Sequence, residues 1–112
     1  MRTKVDEVYR IFGELKKEMP KRMEAFNNYW EVSEDKSTLD AKTKQLINVA
    51  LSISAQSEWS IAYNVRSAFD KGATRKEILD AASLAVLMNG GSALTYMIPL
   101  KEAIDQFENV EF

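Results

Sequence analysis

A chain of 112 residues with 46% hydrophobic and 29% charged residues has the make-up of one folded domain, 1–112, and not of a disordered segment. Its formal charge of -2, with Lys and Arg scattered and not collected on one face, offers no stripe for nucleic acid. With no Cys and no His the chain has no disulfide and no thiolate nucleophile, and it lacks the commonest metal ligand, so no metal or cofactor is expected.

Met1 to Leu15 is studded with charge and has no signal-peptide apolar core, which makes the cytoplasm the expected location. Val5, Val8, Phe12, Leu15, Met19, Met23, Phe26 and Trp30 then alternate at three and four residues, an amphipathic helical stripe. Pro20 interrupts it, because proline lacks an amide hydrogen and disfavours helical geometry at Met19. Two helices or one kinked helix are predicted, with Pro20 opening the second. Glu31 to Thr38 reads as a connection, and Asp40 as the N-cap of the next helix. In that helix Leu46, Val49, Ala50 and Ile53 face inward and Gln45 sits at the edge of the apolar face.

A helix end near Ala55 and a new start capped by the Ser57 hydroxyl account for the polar cluster between them. The new helix runs with Ile61, Ala62, Val65, Ala68 and Phe69 on one side until Gly72 stops it. Thr74 and Glu77 have capping-box spacing. Ile78, Leu79, Ala82, Ala85, Val86 and Met88 follow as a helix buried on more than one side, ended by Asn89-Gly90-Gly91. A last helix from about Ser92 to Phe107 places Leu94, Met97, Ile104 and Phe107 inward and bends at Pro99. No strand alternation or internal repeat appears, so the fold expected is all-α with five or six helices. The apolar stretch from Ala81 to Leu100 is broken by Asn89-Gly90-Gly91 and Pro99 and does not form a membrane span of about 20 residues.

Candidate chemistry centres on Gln45, Ser57, Ser60 and Asn64. On a helix Ser57, Ser60 and Asn64 share one face, and Gln45 on the preceding helix is placed to reach it. Together with Leu39-Asp40-Ala41-Lys42-Thr43-Lys44, Ile61-Ala62-Tyr63, Gly72-Ala73-Thr74 and Met88-Asn89-Gly90-Gly91-Ser92-Ala93-Leu94, this spacing resembles the carboxymuconolactone decarboxylase and alkylhydroperoxidase D family from about Leu39 to Phe107. The peroxidase branch of that family, which reduces hydroperoxides in peroxiredoxin fashion, carries Glu-x11-Cys-x2-Cys-x3-His, and Gln45, Ser57, Ser60 and Asn64 stand at those four positions.

The resemblance implies a helical domain that assembles into homotrimers or homohexamers, and the apolar length of Ala81 to Leu100 points the same way. It does not carry the activity across. A Ser hydroxyl forms no disulfide, so the dithiol route is closed at Ser57 and Ser60. A nucleophilic serine would need a base, which neither Asn64 nor Gln45 supplies, and Glu58 points away from both hydroxyls. The pattern fits a natural loss or a deliberate inactivation, and the absence of Cys and His everywhere favours the natural one.

Three readings follow. The four side chains form a satisfied polar cluster between helices, or they floor a small-molecule pocket with Trp59, Tyr63, Tyr96 and Met97 as lining. The alternative is a lyase like the family's decarboxylase branch, acting on a small carboxylated lactone, with Arg66 as the nearest arginine to the motif. A solvent-facing role for Arg66 is the ordinary expectation against that.

Overall fold

A computed structural model describes residues 3–112. Among them the helices are α1 (Lys4–Glu18), α2 (Pro20–Glu34), α3 (Ala41–Ser54), α4 (Glu58–Asp70), α5 (Arg75–Asn89), the five-residue α6 (Gly91–Thr95) and α7 (Met97–Phe107), with no strand. The fold is all-α.

The local signals explain most of the boundaries. Met19 leaves helical geometry at φ -136 and ψ 63, and Pro20 takes the first position of α2, where its missing N–H costs nothing. Asp40 caps α3 by accepting the Thr43 amide at 2.8 Å, and that bond is the main reason its carboxyl lies below the ordinary range. Thr74 and Glu77 form the full capping box at α5. Thr3 and Asp6 form another at α1, where the apolar stripe alone had marked the helix. The connection before α3 is shorter than its composition suggested, since α2 continues to Glu34.

Pro99 acts differently from expectation. It is the third residue of α7, and the chain breaks before it at Tyr96 instead of bending around it. A proline at 99 has no N–H for the Thr95 carbonyl and would press its ring on that group, so α6 ends there. The break also turns the face: Ala93 is buried and Leu94 is 57% exposed, the reverse of a single continuous helix.

The core is built by α3, α4, α5 and α7, whose Val49, Ile53, Ile61, Val65, Ile78, Leu100 and Ile104 are completely buried. Each such side chain contributes about 1.5–3 kcal/mol of transfer free energy. Helices α3 and α5 lie side by side and parallel. The Lys42–Glu77 ion pair (3.0 Å) joins their first turns, the Ser54–Asn89 hydrogen bond (2.9 Å) joins their last, and both link residues 35 positions apart.

The opposite face of α5 is not covered. Leu84, Leu87 and Met88, spaced for one helical face, are 59%, 75% and 81% exposed, so α5 is buried on one side and not on several. The α1–α2 hairpin gives only Val5 and Met23 to the interior. The rest of its stripe meets α4 in a chain of edge-to-face rings: Phe12–Phe26, Phe12–Trp30, Phe26–Trp30, Trp30–Tyr63 and Tyr9–Tyr63, with centroids 5.4–6.2 Å apart. No helix among the described residues is long and apolar enough to cross a membrane.

Candidate functional site

The turn between α3 and α4 sets the site. Gln56 holds a left-handed backbone (φ 56), which lets the Ser57 amide reach back to the Ser52 carbonyl at 3.3 Å and aims α4 along α3. Ser57 is the N-cap expected of it: its Oγ accepts the Ser60 amide at 3.2 Å and donates to Ser60 Oγ at 3.0 Å.

One turn further along α4, Asn64 donates from Nδ2 to Ser52 Oγ at 2.7 Å, and the Ser52 hydroxyl donates in turn to the Asn48 carbonyl, also at 2.7 Å. Ser52 had drawn no attention as a site residue. It lies seven positions after Gln45 and so on the same face of α3, which is the signal that would have found it.

Gln45 departs from its expected place at the edge of the apolar face. It is 0% exposed, more deeply placed than its neighbour Leu46, and neither Oε1 nor Nε2 has a hydrogen-bond partner among the described residues. The four motif positions therefore do not close into one cluster: Ser57 and Ser60 pair with each other, Asn64 pairs with α3, and Gln45 stands apart.

A groove of about 460 Å³ opens between α1, Trp30 of α2 and α4. Ser60 and Asn64 line it, whereas Ser57 and Gln45 do not. Its walls are apolar, with Val8, Ile11 and Phe12 from α1 facing Trp59 and Tyr63 from α4; Glu7 and Arg10 belong to the α1 side. A second hollow of about 250 Å³ shares Trp30 and Asn64 with it and adds Asn48 and Glu34, so Asn64 lies between the two.

Of the four lining residues expected, Trp59 and Tyr63 line the groove; Tyr96 and Met97 do not, and pack against the core instead, because the α6–α7 break carries them there. In sequence Phe12 and Trp30 are members of an amphipathic helical stripe and nothing more. That α1 and α2 would fold back on α4 is tertiary information, and no local pattern encodes it.

Electrostatically the groove is bland. Burial, aided by Tyr9 and Glu34, pushes the Tyr63 hydroxyl up to about 12, so it stays neutral through the physiological range. Lys4 sits 5.5 Å over the Trp59 ring. Arg66 does not line the groove, and its guanidinium lies 5.2 Å from the Phe112 ring. Neither serine hydroxyl meets a carboxylate, and no cluster of three or more Asp and Glu with metal-binding spacing occurs among the described residues. The hydroxyls and the amide can donate and accept hydrogen bonds, and the carboxylate among the lining residues, Glu7, belongs to the α1 side.

Comparison with known proteins places this geometry. The model of the carboxymuconolactone decarboxylase family matches residues 20–103. An uncharacterised protein of Haemophilus influenzae is 33% identical over 96 residues, 86% of this chain and 85% of its own length, and one of Cupriavidus necator is 27% identical over the same shares. A solved carboxymuconolactone decarboxylase family protein from Legionella pneumophila superposes with a TM-score of 0.90 at 30% identity, covering 95% of both chains. Another from Thermotoga maritima gives 0.83 at 21% identity over 93% of this chain and 89% of its own, a likeness of fold alone.

Proposed function

Given that the chain belongs to the carboxymuconolactone decarboxylase family, we propose that it is a member without dithiol redox activity, which keeps the helical scaffold and a neutral groove and works by binding in place of turnover. The observation that carries this is the Ser57–Ser60 pair. The two hydroxyls bond to each other at 3.0 Å where the peroxidase branch would form its disulfide, and no carboxylate among the described residues is bonded to either. A thiolate is both nucleophile and electron source, and a hydroxyl is neither at neutral pH.

The decarboxylase-like lyase is the weaker reading. Its substrate carboxylate calls for a cation inside the site. Arg66 is engaged with Phe112, and Arg10 is exposed and within 3.8 Å of Glu14.

We also infer a homo-oligomer. Leu84, Leu87 and Met88 form an exposed apolar face on α5, with Leu94 and Ile98 exposed just beyond it. Apolar surface of this kind on a small chain is what a second copy covers.

The reading is tested by assaying reduction of cumene hydroperoxide, with dithiothreitol as reductant, by this chain and by the combined variant Gln45→Glu, Ser57→Cys, Ser60→Cys, Asn64→His. The expected result is silence from the chain and turnover by the variant. Turnover by the chain itself overturns the proposal. Silence from both leaves the missing chemistry standing and rejects the idea that the catalytic geometry has been kept.

A further inference from the structure

Both tryptophans of the chain, Trp30 and Trp59, line the same groove, and beside the Tyr63 ring and hydroxyl α4 offers there two small polar side chains, Ser60 and Asn64. Their hydrogen bonds are half spent. Ser60 Oγ accepts from Ser57, which leaves its own proton to donate. Asn64 gives an Nδ2 hydrogen to Ser52, which leaves Oδ1 as an acceptor with no partner among the described residues. The two residues are four apart on α4, so the free donor and the free acceptor sit one above the other on one helix face.

The surroundings restrict what can meet that pair. Tyr63 is held neutral, and the charged lining residues, Glu7 and Arg10, bring one charge of each sign, while Lys4 lies over the Trp59 ring without lining the groove, so the lining supplies no net charge to a charged group stripped of water. Phe12, Trp30 and Trp59 present aromatic surface on the walls, and about 460 Å³ accommodates two fused rings.

We propose that this groove binds a neutral, planar aromatic compound carrying a single hydroxyl or carboxamide group, which accepts from the Ser60 hydroxyl and donates to Asn64 Oδ1 while its rings lie among Phe12, Trp30 and Trp59. This deepens the reading of the protein as a binder, on which it rests, and it names the chemistry of the ligand.

The chain contains two indole N–H groups, both at the groove, so their ¹⁵N-correlated signals report occupancy directly; Trp59→Phe assigns them. The probes are 2-naphthamide and 2-naphthoate, nearly the same in shape and differing in charge at pH 7.5. 2-Naphthamide is expected to shift both indole signals saturably, and 2-naphthoate to bind at least about tenfold more weakly, about 1.4 kcal/mol. Ser60→Ala and Asn64→Leu are each expected to weaken 2-naphthamide several-fold while far-UV circular dichroism shows the helices intact. If Asn64→Leu does not fold, Ser60→Ala alone decides the point, since it removes one half-buried hydroxyl and leaves the Ser57 cap on the residue-60 amide in place.

Indole signals that ignore 2-naphthamide, or 2-naphthoate binding as tightly as the amide, overturn the proposal. Failure here with silence toward cumene hydroperoxide rejects the ligand class and leaves the non-redox reading intact. Turnover of peroxide rejects that reading whatever the naphthamide result.

Discussion

Asn64 Nδ2 and Ser52 Oγ meet at 2.7 Å, and this bond ties the two helices of the site together beyond the turn that joins them. It is short and half-buried, and Ser52 relays it to the Asn48 carbonyl. Ser52→Ala and Asn64→Ala are each expected to cost about 1–2 kcal/mol. In a double-mutant cycle by urea unfolding they should couple by about 0.5–1.5 kcal/mol. Strict additivity would mean the bond contributes nothing.

Gln45 carries the reverse expectation. A wholly buried amide with no partner among the described residues at either end suffers the desolvation penalty without compensation, roughly 1–3 kcal/mol. Gln45→Met keeps the length and removes both polar atoms, so the urea midpoint is expected to rise. A lower midpoint would show that the amide is engaged. Gln45→Glu should behave as a buried carboxyl with a raised pKa: tolerated below the unfolded value, and increasingly destabilising as pH climbs through the folded one.

Gln56 is the one non-glycine residue with positive φ among those described. A side chain in that region costs about 1–2 kcal/mol. Gln56→Gly is expected to return part of this as a higher melting temperature, offset by the greater freedom of glycine in the unfolded chain. An unchanged or lower melting temperature would show that the side chain supports the turn.

Much of this architecture is legible in the sequence alone. Asp40, Ser57, Thr74 with Glu77, and Pro20 act on atoms within four residues of themselves, so their roles survive whatever the rest of the chain does. The misreadings were tertiary. Gln45 and Leu46 differ by one position, about 100° of rotation, and only the placement of α4 and α5 decides which of them goes under. Leu94 and Met88 looked inward because apolar residues in a helix usually are. The break at Tyr96 turned the first outward, and the second lies on the side of α5 that nothing in this chain covers. The groove was the least legible feature, since it exists only where α1 and α2 fold back on α4.

Tyr63 should titrate late. Its hydroxyl is pushed up to about 12, above the ordinary value near 10. The neutral form is therefore favoured by folding: the stabilisation is complete below pH 10 and disappears as pH rises toward 12. Absorbance at 295 nm should show a tyrosine ionisation near pH 12, and Tyr63→Phe should remove that step. A titration with no step near pH 12 would contradict the burial.

On α5, the double variant Leu87→Glu, Met88→Glu places two carboxylates on the exposed apolar face without touching the core. If that face is where copies meet, light scattering should give a mass above 12.7 kDa per particle for the unaltered chain and a fall toward it for the variant, with helicity retained. An unaltered chain that already runs as a monomer rejects the assembly.

The match to the family begins at Pro20, and the wall of the groove from Glu7 to Phe12 lies before it. The floor, Ser60 and Asn64, comes with the common scaffold; the wall opposite belongs to a helix that adds only Val5 to the core cluster. Such a division means that substitutions in α1 reshape the groove wall while leaving the packing that keeps the fold undisturbed. One side of the groove is thus tied to the packing that holds the fold, and the other stands largely free of it.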